Sequence, residues 1–222
     1  LLDFPPFDRY TDAINIYTHW QASEHGMPRL TQFSQWDDMN TAWGIYGNAT
    51  DGFQSARSNS NPKPEAQELL PNTLELVPVV VSHDPAKVLR ANAQFGFGRI
   101  LMSAEDHRAG ATLIHELGHS IGNLWDEYLY SDSPSQYFGI EPTALNVTKQ
   151  TNPALAKWSD LLDANVPVPT PENQDGYGLF EGAGSYSLGV YRSTAISMMR
   201  STSYPFFIVN ENAMAQVLEQ FR

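Results

Sequence analysis

His115, Glu116 and His119 carry the strongest chemical signal in the chain, in the run His115-Glu116-Leu117-Gly118-His119. Residues four apart on a helix share a face, so the two imidazoles can converge on one point. Neutral imidazole nitrogens suit Zn²⁺, which binds them at about 2.0–2.1 Å. Glu116, beside them, is placed to hold a water and remove its proton. The pattern points to metal-assisted hydrolysis, most often of a peptide bond.

A catalytic zinc needs a third protein ligand and an open position. Downstream stand Asp126 and Glu127. On an unbroken helix Asp126 would lie about 10 Å beyond His119 along the axis, at ~1.5 Å per residue. Gly122-Asn123 offers a stop, because both residue types tolerate the left-handed conformation that ends helices. The chain can then double back and bring an acid to the metal. Asp126 is the first candidate and Glu127 the second.

The elements that must position these groups can be read around the motif. Ile14–His19 alternates like a half-buried strand, and Thr41–Tyr46 is a further short strand candidate. Residues 64–70 begin with Pro and suit a helix. Val77–Ser82 is an apolar run expected as a buried strand of a covered sheet. Asp84-Pro85 opens a helix expected to run to about Ala93, with Asp84 as N-cap. Gly96-Phe97-Gly98 turns the chain into a strand over Arg99–Ala104, and Asp106 or His107 begins the motif helix. The strand at 99–104 is expected either as an edge that pairs with an extended substrate or as an interior strand. Pro153–Asp163 reads as a short amphipathic helix, residues 164–190 as Gly- and Pro-rich irregular chain, and Glu211–Phe221 as a closing helix. Strands alternating with helices predict an α/β (α+β) fold with a mixed sheet packed on helices.

Composition narrows the function classes. The 222 residues include no cysteine, 41% hydrophobic residues and a formal net charge of −12. Disulfides and cysteine metal sites are excluded. The acidic balance argues against nucleic acid, which demands clustered Lys and Arg. No eighteen-residue apolar run occurs, so no membrane-spanning helix is expected. The start, Leu-Leu-Asp-Phe-Pro-Pro, reads as a mature form or a fragment. Two sequons occur, at Asn48 and Asn146.

Other residues carry weaker signals. Met198-Met199 could floor a metal site or simply fill core. Tyr186, Tyr191 and Tyr204 could donate to an oxyanion or pack. His107 could begin the motif helix near the cleft, and His19, His25 and His83 lack a partner pattern; all four are read as structural or surface residues.

The run His115–Ser120 followed by Leu124-Trp125-Asp126-Glu127-Tyr128 resembles the bacterial IgA peptidase family of secreted metallopeptidases. Pro5–Tyr10 leading to Asn15-Ile16-Tyr17, Asn40-Thr41-Ala42-Trp43-Gly44, and Gly189-Val190-Tyr191-Arg192 leading to Met199-Arg200 resemble further blocks of that family. The resemblance runs from near residue 5 to near 207. It implies a metzincin-like catalytic domain, with the active-site helix at a cleft. It also implies Zn²⁺ held by His115, His119 and Asp126, Glu116 as general base, and Met199 in a Met-turn. Tyr191 belongs to the supporting block. The metzincin short spacer puts the third ligand at Trp125, one residue before Asp126. Asn40 departs from the family's Asp, and Ser197 and Ile208 stand where it tends to have Cys.

The expected organisation is one catalytic domain over 1–222. About 1–128 would form a sheet-bearing upper subdomain, and about 129–222 an irregular lower subdomain with the Met-turn and the C-terminal helix. The expected activity is zinc-dependent endopeptidase, acting on extracellular protein or peptide substrates from a secreted or periplasmic location. The competing expectation is a non-catalytic, zinc-stabilised module that binds protein or glycan.

Overall fold

The computed structural model describes residues 1–19, 45–48, 55–58, 63–71, 74–82, 90–104, 107–129 and 134–222. It divides into two compact units, Ile14–Ile121 and Leu1–Ala13 with Gly122–Arg222. The architecture is α+β, with short helices and small sheets. No helix among the described residues is long and apolar enough to cross a membrane.

In the unit Ile14–Ile121, β1 (Ile45–Asn48) pairs antiparallel with β2 (Ser55–Ser58). Helix α1 spans Lys63–Leu69, with Pro64 in its first turn. A second sheet joins β3 (Val79–Ser82), β4 (Asn92–Ala93) and β5 (Ile100–Ser103) in the order β3-β5-β4. Strand β5 is parallel to β3 and antiparallel to β4. Helix α2 (Ala109–Ser120) packs on β5 and β4. All four residues of β5 are buried, as a central strand beneath a helix requires.

Several expectations change here. Residues 14–19 carry no regular element, and Ile16 and Tyr17 are exposed. Alternation marks a strand only where a sheet gives one face something to cover. Strand β3 does not lie in a covered sheet. Val80 is 8% exposed, but Val79 is 39% and Val81 52% exposed, so one face of β3 is covered and the other is left open. The helix expected to reach Ala93 gives way to β4 at its end; residues 84–89 lie outside the described residues, as do Thr41–Gly44. Strand β5 is central, so of its two expected settings the interior one is found.

In the other unit, β6 (Val147–Thr148), β7 (Phe180–Ala183) and β8 (Tyr186–Arg192) form an antiparallel sheet in the order β6-β8-β7. Helix α3 spans Phe207–Leu218 and begins four residues before the sequence suggests. Strands β7 and β8 occupy a stretch read as irregular. Gly184 (φ 58°) and Ser185 (φ 73°) join them, with Ala183 opposite Tyr186. Two consecutive left-handed residues match the twist of a two-residue hairpin. Pro153–Asp163 is two separate 3₁₀ turns, Pro153–Leu155 and Ser159–Leu161, not one helix. Ala156 between them is extended at ψ 149°, which breaks the helical path. That break buries Trp158, whose indole donates to Gly178 O at 2.8 Å. The core here gathers Ala156, Trp158, Leu179, Tyr191 and Val209 in one cluster, and Ala144, Val147, Ala183 and Val190 in another.

Lys157 ties this unit together. Its ammonium donates to the carbonyls of Ala144 and Val147, each at 2.7 Å, and to Pro142 O, and it pairs with Glu141 at 3.2 Å. The side chain is 20% exposed, so water replaces little of this if it is lost. Lys157→Met keeps the stem and deletes every donor. It is expected to cost about 2–4 kcal/mol, the loss of charged hydrogen bonds to partly buried acceptors. Urea denaturation of parent and variant measures this; a loss under about 0.5 kcal/mol, the scale of ordinary surface changes, would show that the clamp contributes nothing.

Candidate active site

Helix α2 buries its whole C-terminal half, Ile114 through Ser120. Burial of a polar pair such as His115 and Glu116 costs free energy unless partners or ligands offset it. His115 is 7%, Glu116 5% and His119 9% exposed. The imidazole rings of His115 and His119 lie 4.9 Å apart between centroids, nearly perpendicular. This is the juxtaposition that the four-residue spacing predicts. Phe95 meets His119 edge-on at 5.9 Å. The end of the helix is tied down by Phe97 N–H, which donates to Ser120 O at 2.8 Å, and by Ser120 Oγ, which donates to Gly98 O at 2.9 Å.

The helix stops where the sequence suggests. Ile121 N–H still donates to Leu117 O, and Asn123 then takes φ 50°. Asparagine tolerates this region better than most residues. The following residues turn back, and ligand-capable atoms of His115, His119 and Asp126 all lie within 4.8 Å of one another. Two imidazoles and a carboxylate form a donor set suited to zinc, and three protein ligands leave a tetrahedral position open.

Glu127 goes elsewhere. It is 1% exposed, and its carboxylate accepts from Ser197 Oγ at 2.7 Å, Asn146 Nδ2 at 3.0 Å and Asn210 Nδ2 at 3.3 Å. Burial pushes its carboxyl above the ordinary range, opposed by those three hydrogen bonds. Its backbone N–H donates to Met199 O at 2.8 Å. Of the two candidate acids, the structure therefore brings Asp126 to the histidines and sends Glu127 inward.

Met199 is fully buried in a turn whose N–H donates to Ser197 Oγ, and it holds the backbone beside Asp126. Tyr191, on β8, joins the cluster around Trp158. Burial raises its pKa, and the Glu181 charge adds to the rise. Tyr186 packs against the second cluster, and Tyr204 is 42% exposed. Asn146, in a sequon, is fully buried; its amide donates to Trp125 O and Glu127, so the folded protein offers it to no glycan.

Sequence reading missed Asn146, Ser197, Asn210 and Gly184 as residues around the site. Gly184 N–H donates to Asp126 O at 2.8 Å, and a Cβ on Gly184 would stand 2.6 Å from the Trp125 ring. The Gly184-Ser185 pair was the available signal, because such dipeptides favour tight hairpins. No spacing rule in the sequence linked Asn146, Ser197 or Asn210 to the site, since each is far from Glu127 along the chain.

The structure thus sets a His-Glu-x-x-His helix beside a carboxylate on an α+β scaffold. The family model IgA Peptidase M64 matches residues 1–177, and the chain belongs to that peptidase family. The match covers His115, Glu116, His119 and Asp126 and ends before Tyr191 and Met199. No curated protein matches the chain.

Proposed function

We propose that the protein is a zinc-dependent endopeptidase that cleaves extracellular proteins. The single observation that carries this reading is the convergence of His115, His119 and Asp126 within 4.8 Å. Those three residues would hold the ion. Zn²⁺ bound there would supply a Lewis acid for the scissile carbonyl and lower the pKa of water.

The chain's own residues perform the rest. Glu116 follows His115 directly on α2 and is nearly excluded from solvent. As a carboxylate it takes a proton from the attacking water, then delivers it to the leaving amine. Its low exposure keeps bulk water from competing for that proton. Met199 supports the segment carrying Asp126 through its hydrogen bond with Glu127. A metzincin-like arrangement, with Met199 in the role of the Met-turn, and an extracytoplasmic location complete the proposal. Both rest on the family resemblance. Tyr191, packed in the cluster around Trp158, receives no chemical step.

Chelation tests this reading. The purified protein should degrade a denatured protein mixture, lose that activity on removal of metal, and regain it when zinc is returned. Cleavage that continues with no metal bound would overturn the zinc mechanism. Binding of protein or glycan without cleavage would favour the non-catalytic module.

A further inference from the structure

Three consecutive residues around the proposed third ligand are held from every side. Asn146 Oδ1 accepts from Trp125 N–H at 3.0 Å, while Asn146 Nδ2 donates back to Trp125 O at 2.9 Å. Asp126 O accepts from Gly184 N–H. Glu127 donates its N–H to Met199 O and receives Ser197, Asn146 and Asn210 on its carboxylate. Ser197 Oγ in turn accepts from Met199 N–H and Asn210 Nδ2, each at 3.1 Å. With two acceptances filled, the Ser197 hydroxyl has its proton left for Glu127 and no room for another donor. The network thus calls for a carboxylate at 127, since a glutamine amide would set an N–H₂ against other donors.

From this we infer that Glu127 is a positioning residue for the metal site. Buried at the centre of the Asn146–Ser197–Asn210 network, it orients the neighbouring Asp126 carboxylate toward His115 and His119. The inference rests on the reading of those three residues as the zinc site. A tripeptide on an exposed turn would sample many orientations, and each would cost ordering entropy on binding. Fixing the backbone on both sides of Asp126 removes that cost in advance. Partners that orient ligands are commonly worth 10–100-fold in metal affinity. Ser197 stands where the family tends to have Cys, and here its hydroxyl supplies one of the three hydrogen bonds.

The test is zinc affinity, measured by competition with a chromophoric chelator on the full chain. The variants are Glu127→Gln, Ser197→Ala, Asp126→Ala and the two doubles that combine each of the first two with Asp126→Ala. Glu127→Gln is expected to weaken zinc binding about 10–100-fold, and Ser197→Ala in the same direction, at a temperature where both retain the parent's far-ultraviolet circular dichroism. In the Asp126→Ala background, neither substitution should weaken binding further. If Glu127→Gln fails to fold, Ser197→Ala carries the test. Affinity within twofold of the parent in the folded variants would overturn the inference, as would effects that persist undiminished without Asp126. Unchanged zinc affinity in Asp126→Ala alone would strike the ligand assignment itself, and the inference with it.

Discussion

Glu116→Gln should lower kcat/KM by about 10²–10⁴-fold, the range of general acid–base catalysis, while the protein still binds zinc as the parent does. The substitution is isosteric, and Gln and Glu differ little in helix propensity, so α2 should persist. What disappears is the ability to take up and return a proton. Glu116 is 5% exposed, and an amide there cannot be relieved by a carboxylate from solvent. The measurement pairs steady-state kinetics with metal content on the same preparation. Equal loss in kcat and kcat/KM would show that the group acts in the transition state and not in substrate binding. Activity within tenfold of the parent would remove Glu116 from the chemistry.

His119→Ala has the second large effect expected. Two ligands in place of three cannot hold zinc in a closed geometry, so metal content should fall from about one ion per chain to near none. The imidazole of His119 is 9% exposed and packed edge-on against both His115 and Phe95, so its loss also leaves a small void. A thermal readout separates the two consequences. Zinc at about 100 times its Kd should stabilise the parent by about 2.7 kcal/mol through linkage. The variant should show no such rise on zinc addition, whatever its own baseline. A zinc-dependent shift equal to the parent's would refute the ligand role.

These two residues were legible because helical geometry is local. Once Ala109–Ser120 forms, the four-residue spacing places His115 and His119 together with no help from distant chain. The stop was legible for the same reason, since Asn123 needs only its own tolerance of φ 50°. Strands were harder. The apolar run at 77–82 pointed to a strand but not to its exposure, because what covers each face of a strand is decided by tertiary packing. The β7–β8 hairpin hid in a glycine-rich stretch, where the alternation that marks strands is diluted by residues serving a turn. Pro153–Asp163 had the spacing of an amphipathic helix, yet Ala156 is extended so that Trp158 can reach Gly178. There a tertiary contact outweighed a propensity of a few tenths of a kcal/mol per residue.

The sequence by itself determined the two histidines, the glutamate between them and the place where their helix must end. Each follows from backbone geometry over a few residues. It left two adjacent acids as alternatives, since neighbours one residue apart have nearly equal reach. Only the tertiary structure sets the two apart, with the Asp126 carboxylate near both histidines and Glu127 buried elsewhere. The partners that draw Glu127 inward come from positions 19, 70 and 83 residues further along the chain. A buried carboxylate needs such donors to offset its desolvation. Folding brings them to Glu127, and Asp126 is left at the histidines.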